Sequence, residues 1–217
     1  MSEAKLGFLV PLVAKANGAD DVVSFLLGGH KLVQAEPETL HWYALKFEGA
    51  EPSKLAIFDT FAGESGQTAH LQGQVAAALM GKAPELLGAA PEIKHVKVLA
   101  SKVKASASLD DETAGLACGL QVTFTAKPDK VEAVREFLIN AKPIVEAEED
   151  TPVWYAIEFD RKSDGSAGFG IVDFFPSSEG RQAHLSGKVA AALFGSAAEL
   201  LAGTPEVAKF DVVATKV

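Results

Sequence analysis

One cysteine, Cys118, is all that the 217 residues contain, so no disulfide can form within the chain and nothing points to oxidative folding. The apolar runs stop well short of the roughly 18 residues that a membrane-spanning helix needs. The opening Met-Ser-Glu-Ala-Lys lacks a basic segment leading into an apolar signal core, and the expectation is a cytoplasmic protein with no membrane partner. Basic residues are also scarce: 20 Lys and Arg against 29 Asp and Glu give a formal charge of −9. With no basic stripe to neutralise phosphates, no nucleic-acid partner is expected. There is no phosphate-binding glycine loop, no nucleophile elbow and no zinc-type His/Cys spacing, so neither a metal nor a bound cofactor is implied. What the chain does have is 48% hydrophobic and 23% charged residues, ordinary for a soluble globular protein.

It also says nearly the same thing twice. Residues 57–103 and 171–217 align at an offset of 114, pairing Ile57-x-Asp59-x-Phe61 with Ile171-x-Asp173-x-Phe175 and Gly66-x-x-Ala69-His70-Leu71-x-Gly73 with Gly180-x-x-Ala183-His184-Leu185-x-Gly187. Upstream the offset is 112, pairing Thr39-x-x-Trp42-Tyr43-Ala44 with Thr151-x-x-Trp154-Tyr155-Ala156. The period of roughly 110 residues is too long for a solenoid unit and marks a duplicated domain. The expected organisation is a first repeat over 1–104, a linker over 105–117 and a second repeat over 118–217.

Each half reads as strand, helix, strand, strand, helix, strand. In the first half, Leu6 to Val13 is an apolar run, and Val22, Val23, Phe25, Leu26, Leu32 and Val33 approximate one helical face, which Pro37 terminates. Leu40 to Phe47 and Leu55 to Phe61 are strands about a hairpin loop. Glu64-Ser65-Gly66 opens a second helix, expected to break near Gly81, and Ile93 to Val103 is the last strand. Lys104 to Ala117, rich in Ser, Ala and acidic residues, has no apolar period. The β-α-β-β-α-β order predicts an α+β, ferredoxin-like half with helices on one sheet face. Large side chains on both parities of the third strand, Phe58 against Phe61 and Phe174 against Phe175, imply that the other face is covered too, most simply by the twin half. The expected fold is therefore two ferredoxin-like βαββαβ repeats packed sheet to sheet as a pseudo-twofold α+β barrel within one chain, an intramolecular pairing that leaves room for a further homodimer.

The stretch Ile57-Phe58-Asp59-Thr60-Phe61-x-x-Glu64-x-Gly66-x-x-Ala69-His70-Leu71, its Ala-rich continuation, Ala83-Pro84-Glu85-Leu86-Leu87 and the Trp42-Tyr43-Ala44 strand resemble the antibiotic biosynthesis monooxygenase domains of the dimeric α+β barrel superfamily. The likeness covers almost all of both halves. It implies the barrel fold and a range of activities that includes cofactor-independent oxidation of quinols and anthrones, as well as haem degradation. The Asn and Trp that the haem-degrading relatives use have no match here, where the first strands read Phe8-Leu9-Val10 and Leu120-Gln121-Val122 and Phe61 and Phe175 stand at the Trp-like place.

Of the five histidines, only His70 and His184 recur at equivalent positions, and the resemblance places the family's helix histidine there. They are candidate proton acceptors; the competing reading is a hydrogen bond that fixes the strand-helix junction. Asp59 and Asp173 sit mid-strand, where Asp is disfavoured; they are candidate bases or histidine partners if their parity faces a cavity, and bind backbone donors if it faces the helices. Trp42, Trp154, Tyr43, Tyr155, Phe61 and Phe175 are candidate substrate-binding walls, with core packing as the alternative, and within a half only Trp or Tyr can line a given cavity because adjacent strand residues face opposite ways. Arg181, facing Gln67 across the repeat, is a candidate to steady an anion near His184. The functional expectation is a monooxygenase acting with O2 and no cofactor on a small aromatic molecule. The alternative is a noncatalytic ligand-binding or stress-related barrel.

Overall fold

The computed structural model describes residues 3–104, 112–161 and 165–217. The elements follow one another as β1 (Leu6–Val13), α1 (Ala19–Val33), β2 (Thr39–Phe47), β3 (Lys54–Phe61), α2 (Glu64–Leu71), α3 (Gln74–Leu86), β4 (Lys94–Val103), β5 (Cys118–Ala126), α4 (Val131–Glu146), β6 (Val153–Phe159), β7 (Ala167–Phe175), α5 (Ser178–Leu185), α6 (Lys188–Leu200) and β8 (Glu206–Lys216). This is the expected α+β order, with the second helix of each half in two pieces. The break falls at Gln72-Gly73 rather than at Gly81. A Cβ on Gly73 would come within 3.1 Å of the His70 carbonyl, so a glycine sits where the chain closes on itself, whereas Gly81 has open space and stays helical.

The chain divides into two compact units, Met1–His95 with Ser106–Gly115 and Phe210–Val217, and Val96–Ala105 with Leu116–Lys209. The last strand of each sequence half thus lies mostly with the unit built by the other half. In the first unit β1 and β2 flank β3 antiparallel, and β2 pairs on its other edge with β8. The second unit repeats this with β5 and β6 flanking β7 and with β4 against β6. Of the linker expected over 105–117, residues 105–111 lie outside the described residues. Beyond them the Glu112 carbonyl accepts from the Thr215 N–H at 2.6 Å and Leu116 is buried.

The helix-covered face of each sheet holds a core. In the first unit Phe8, Val10, Leu12, Trp42, Leu55, Ile57 and Phe61 meet Val22, Leu26 and Val33 of α1 and Val75, Leu79 and Ala83 of α3. Their alternation along the strands puts one parity here. The opposite parity of β2 and β3 brings Tyr43 and Phe58 into a stack with centroids 6.1 Å apart. The second unit packs Val122, Phe124, Trp154, Phe169 and Ile171 against Val134, Leu138, Ala141 and Val189 in the same manner. Gly29, within α1, packs on the indole of Trp42, from which a Cβ there would lie 3.7 Å, whereas Gly28 has open space around it. No helix among the described residues is long and apolar enough to cross a membrane.

Candidate functional site

Strand register lines up one row of residues in each unit. Phe8 lies opposite Asp59, Asp59 opposite Trp42, and Trp42 opposite Lys216. Leu120, Asp173, Trp154 and Lys102 form the equivalent row. Cross-strand neighbours in register share a face, so a carboxylate is set among apolar side chains under the helices. Asp59 is 1% exposed and Asp173 0%. A buried carboxylate is costly unless it is paired and hydrogen-bonded, and Asp59 is both: the Phe8 N–H donates to Oδ1 at 3.1 Å, and His70 Nε2 lies 3.2 Å from Oδ2. Asp173 is less well held. His184 Nε2 stands 3.1 Å from its Oδ2 and the Leu120 N–H faces the carboxylate, but both hydrogen bonds are less well aligned than those at Asp59.

His70 reaches Asp59 because α2 starts tight against the end of β3. A Cβ on Gly66 would lie 2.9 Å from the Glu38 carbonyl and 3.3 Å from Phe61, so only glycine lets the helix enter there. The other ring nitrogen is also taken. Nδ1 lies 2.6 Å from Glu36 Oε2, the Thr39 hydroxyl donates to the same oxygen at 2.8 Å, and Thr39 Oγ1 is 3.3 Å from Nδ1. In the second unit His184 Nδ1 lies 2.6 Å from Glu148 Oε2, to which Thr151 donates at 2.9 Å. Each imidazole therefore faces a carboxylate on both sides, an arrangement that needs a proton on each nitrogen. Burial alone would push its pKa down, but the hydrogen bond and charge of the Asp, then of the Glu, overcome it and raise both His70 and His184 to about 9. Burial pushes Asp59 and Asp173 up, with the imidazolium opposing.

Chemically, the ring presents no free lone pair at neutral pH. It ties strand, helix and loop together, and it bridges a buried Asp to a Glu that keeps 18% exposure in one unit and 23% in the other.

The other expected residues sort by face. Phe61 and Phe175 each lie 5.5 Å, centroid to centroid, from their histidine. Trp42 and Trp154 share this face and are fully buried, and neither indole N–H has a hydrogen-bond partner. His30 of α1 lies near the Trp42 ring at 6.3 Å. Tyr43 and Tyr155 are buried on the opposite parity from His70 and His184, Tyr43 stacking with Phe58 and with His41. Arg181 Nη1 reaches the Gly119 carbonyl at 3.5 Å, and Gln67 Nε2 reaches the equivalent Gly7 carbonyl at 3.3 Å, so one fastens α5 to β5 and the other α2 to β1. Glu36 and Glu148 were not among the expected site residues, although both recur, three residues ahead of Thr39 and Thr151. No group of three or more His, Cys, Asp or Glu with a metal-holding arrangement is found among the described residues.

No family model matches the chain, and no curated protein matches it at a significant level. Solved structures do. A "putative monooxygenase" from Fusobacterium nucleatum superposes with a TM-score of 0.84 over 100% of this chain and 95% of its own, at 14% identity. An anthrone oxidase-like protein aligns over 99% of this chain and 93% of its own with a TM-score of 0.63 and 11% identity. A protein of unknown function from Nitrosomonas europaea is 42% identical over 49% of this chain and 100% of its own, with a TM-score of 0.45. The chain thus carries, in tandem, the ferredoxin-like fold of proteins related to antibiotic biosynthesis monooxygenases.

Proposed function

We propose that the chain is a cofactor-independent monooxygenase that oxidises a small electron-rich aromatic of the quinol or anthrone type with O2. The observation that supports this best is the unpartnered indole N–H of Trp42 and of Trp154, buried at equivalent places beside Asp59 and Asp173. A buried donor left unpaired costs about 1–3 kcal/mol, and a phenolic or keto oxygen of a bound ring would satisfy it. The aromatic and apolar surroundings suit a flat substrate.

In this reading the buried Asp takes the substrate proton, since burial raises its basicity while the tied histidine has no lone pair to offer. The imidazolium already carries a proton on both nitrogens and stays as it is, its charge steadying the carboxylate; the proton held by the Asp goes to the peroxide oxygen once O2 has added, returning the Asp to its ionised form. The substrate carbanion gives one electron to O2, and the resulting radical and superoxide combine to a hydroperoxide. Loss of water leaves a carbonyl. One oxygen atom goes to substrate and the other to water, the substrate's two hydrogens leave in that water, and no outside reductant is needed.

A second reading, a noncatalytic ligand-binding protein, is favoured by one observation: both nitrogens of each histidine are engaged by the protein itself. Oxygen consumption with a panel of quinols and anthrones, without added flavin, haem or metal, separates the two. Turnover that is lost in Asp59→Asn with Asp173→Asn supports the monooxygenase. Saturable binding of the same compounds without oxygen uptake supports the second reading.

A further inference from the structure

Each buried row ends in a lysine that the proposed reaction does not use. Lys216, on β8, sends Nζ to the carbonyls of Val33 at 3.1 Å and Glu36 at 2.5 Å. Lys102, on β4, sends Nζ to Val145 at 2.8 Å and Glu148 at 2.5 Å. Val33 and Val145 belong to the last turns of α1 and α4, whose final carbonyls lack intrahelical donors, and a cation there is favourable on both counts. The second carbonyl is the informative one. It belongs in each unit to the glutamate whose side chain holds histidine Nδ1.

We infer that Lys216 and Lys102 are positioning residues that fix the backbone of Glu36 and Glu148 and so hold the carboxylate against His70 and His184. Three features carry this. The lysine, the glutamate and the histidine recur together in both units, so the arrangement was kept twice. The glutamates lie in short connections after a helix, where Thr39 or Thr151 also donates to the carboxylate and the backbone keeps its own hydrogen bonds to Val33 and Thr39 or to Val145 and Thr151. The lysines come from the strand contributed by the other sequence half, since β8 joins β2 and β4 joins β6. Each carboxylate–imidazole–carboxylate trio is thereby completed only when the partner repeat delivers its last strand. Burial pushes both lysines below their ordinary pKa, a cost that the carbonyl contacts offset together with the nearby carboxylates, Glu36 for Lys216 and Glu146 and Glu148 for Lys102. The inference concerns the geometry of the trio and stands independently of the reaction proposed above.

The test is NMR titration of the imidazoles in the full chain, with His70 and His184 assigned through His70→Gln and His184→Gln. In Lys216→Met, His70 is expected to titrate lower by about one unit or more as Glu36 withdraws, while His184 is unchanged; Lys102→Met is expected to do the reverse. Lys216→Arg and Lys102→Arg, which keep a cationic donor, should restore the high value. Removing a nearby positive charge by itself would raise the histidine, so the sign separates positioning from simple electrostatics. An unchanged or raised His70 in Lys216→Met, even with a lower melting temperature, overturns the inference and leaves the lysine a helix cap only. If the Met variants do not fold, Lys216→Gln and Lys102→Gln are read by the same criterion.

Discussion

A histidine held between two carboxylates links stability to pH in a particular direction. The folded pKa of about 9 for His70 and His184 lies above the ordinary 6.5. The stabilisation is therefore fully present below pH 6.5 and is lost as pH rises through about 9, by on the order of 3 kcal/mol for each site. Chemical denaturation measured from pH 6 to 9.5 should show this decline, with the decline about halved in His70→Gln; a flat wild-type profile would mean that the imidazolium is not held. Glycine limits are equally local. A Cβ on Gly187 would stand 2.9 Å from the His184 carbonyl and 3.3 Å from Glu148 Oε1. Gly187→Ala is expected to cost about 1–3 kcal/mol in unfolding free energy and to lower the His184 pKa, whereas Gly195→Ala, with open space around it, should cost nothing. The mid-strand Asp59 and the recurring helix His70 were legible as outliers against apolar neighbours, and a histidine partner or a backbone donor were the alternatives for the carboxylate; on the helix-covered face Asp59 takes both. Glu36 was not legible, because a Glu in a loop is ordinary and its partner lies 34 residues away; only its recurrence as Glu148 marks it.

At the level of elements, the two repeats solve one problem differently. α5 begins behind Ser177, whose Oγ accepts from the Gly180 N–H at 3.3 Å, whereas α2 begins behind Gly63 with no side-chain cap. Ser177→Ala should lose about 1 kcal/mol, and Gly63→Ser should gain a few tenths, because a side chain at 63 meets open space and the backbone there is extended like that at 177. Thermal melts of the two variants check both signs, and equal effects would show that the helix start is fixed by the Phe61 and His70 packing instead. Element type and order followed from periodicity, and the β-hairpins from their turn residues. The break in the second helix did not, because Gly73 and Gly81 look alike in sequence. What separates them is the approach of another chain segment, and that is a tertiary fact.

For the whole molecule, the repeat was visible at once as two domains, and that view supports a first half that folds as residues 1–104. The strand pairing adds a condition. β4, at the end of that half, has its ladder on β6, and the free edge of β2 takes β8, so a half expressed alone carries one strand without its partner and one sheet edge without its neighbour. Unpaired edges with buried-type side chains are templates for association, and Lys102 would have no α4 to cap. Two copies of residues 1–104 can supply each other's missing strand, β4 of one standing in for β8 on β2 of the other, since Val96 to Val103 and Phe210 to Val217 are the same segment of the repeat. The expected outcome is that residues 1–104 form a homodimer by light scattering, in which Lys102 caps α1 of the partner copy and its substitution by Met weakens dimerisation. A well-folded monomer at micromolar concentration would mean that β4 can return to its own half, and that the exchange of strands belongs to the joined chain alone.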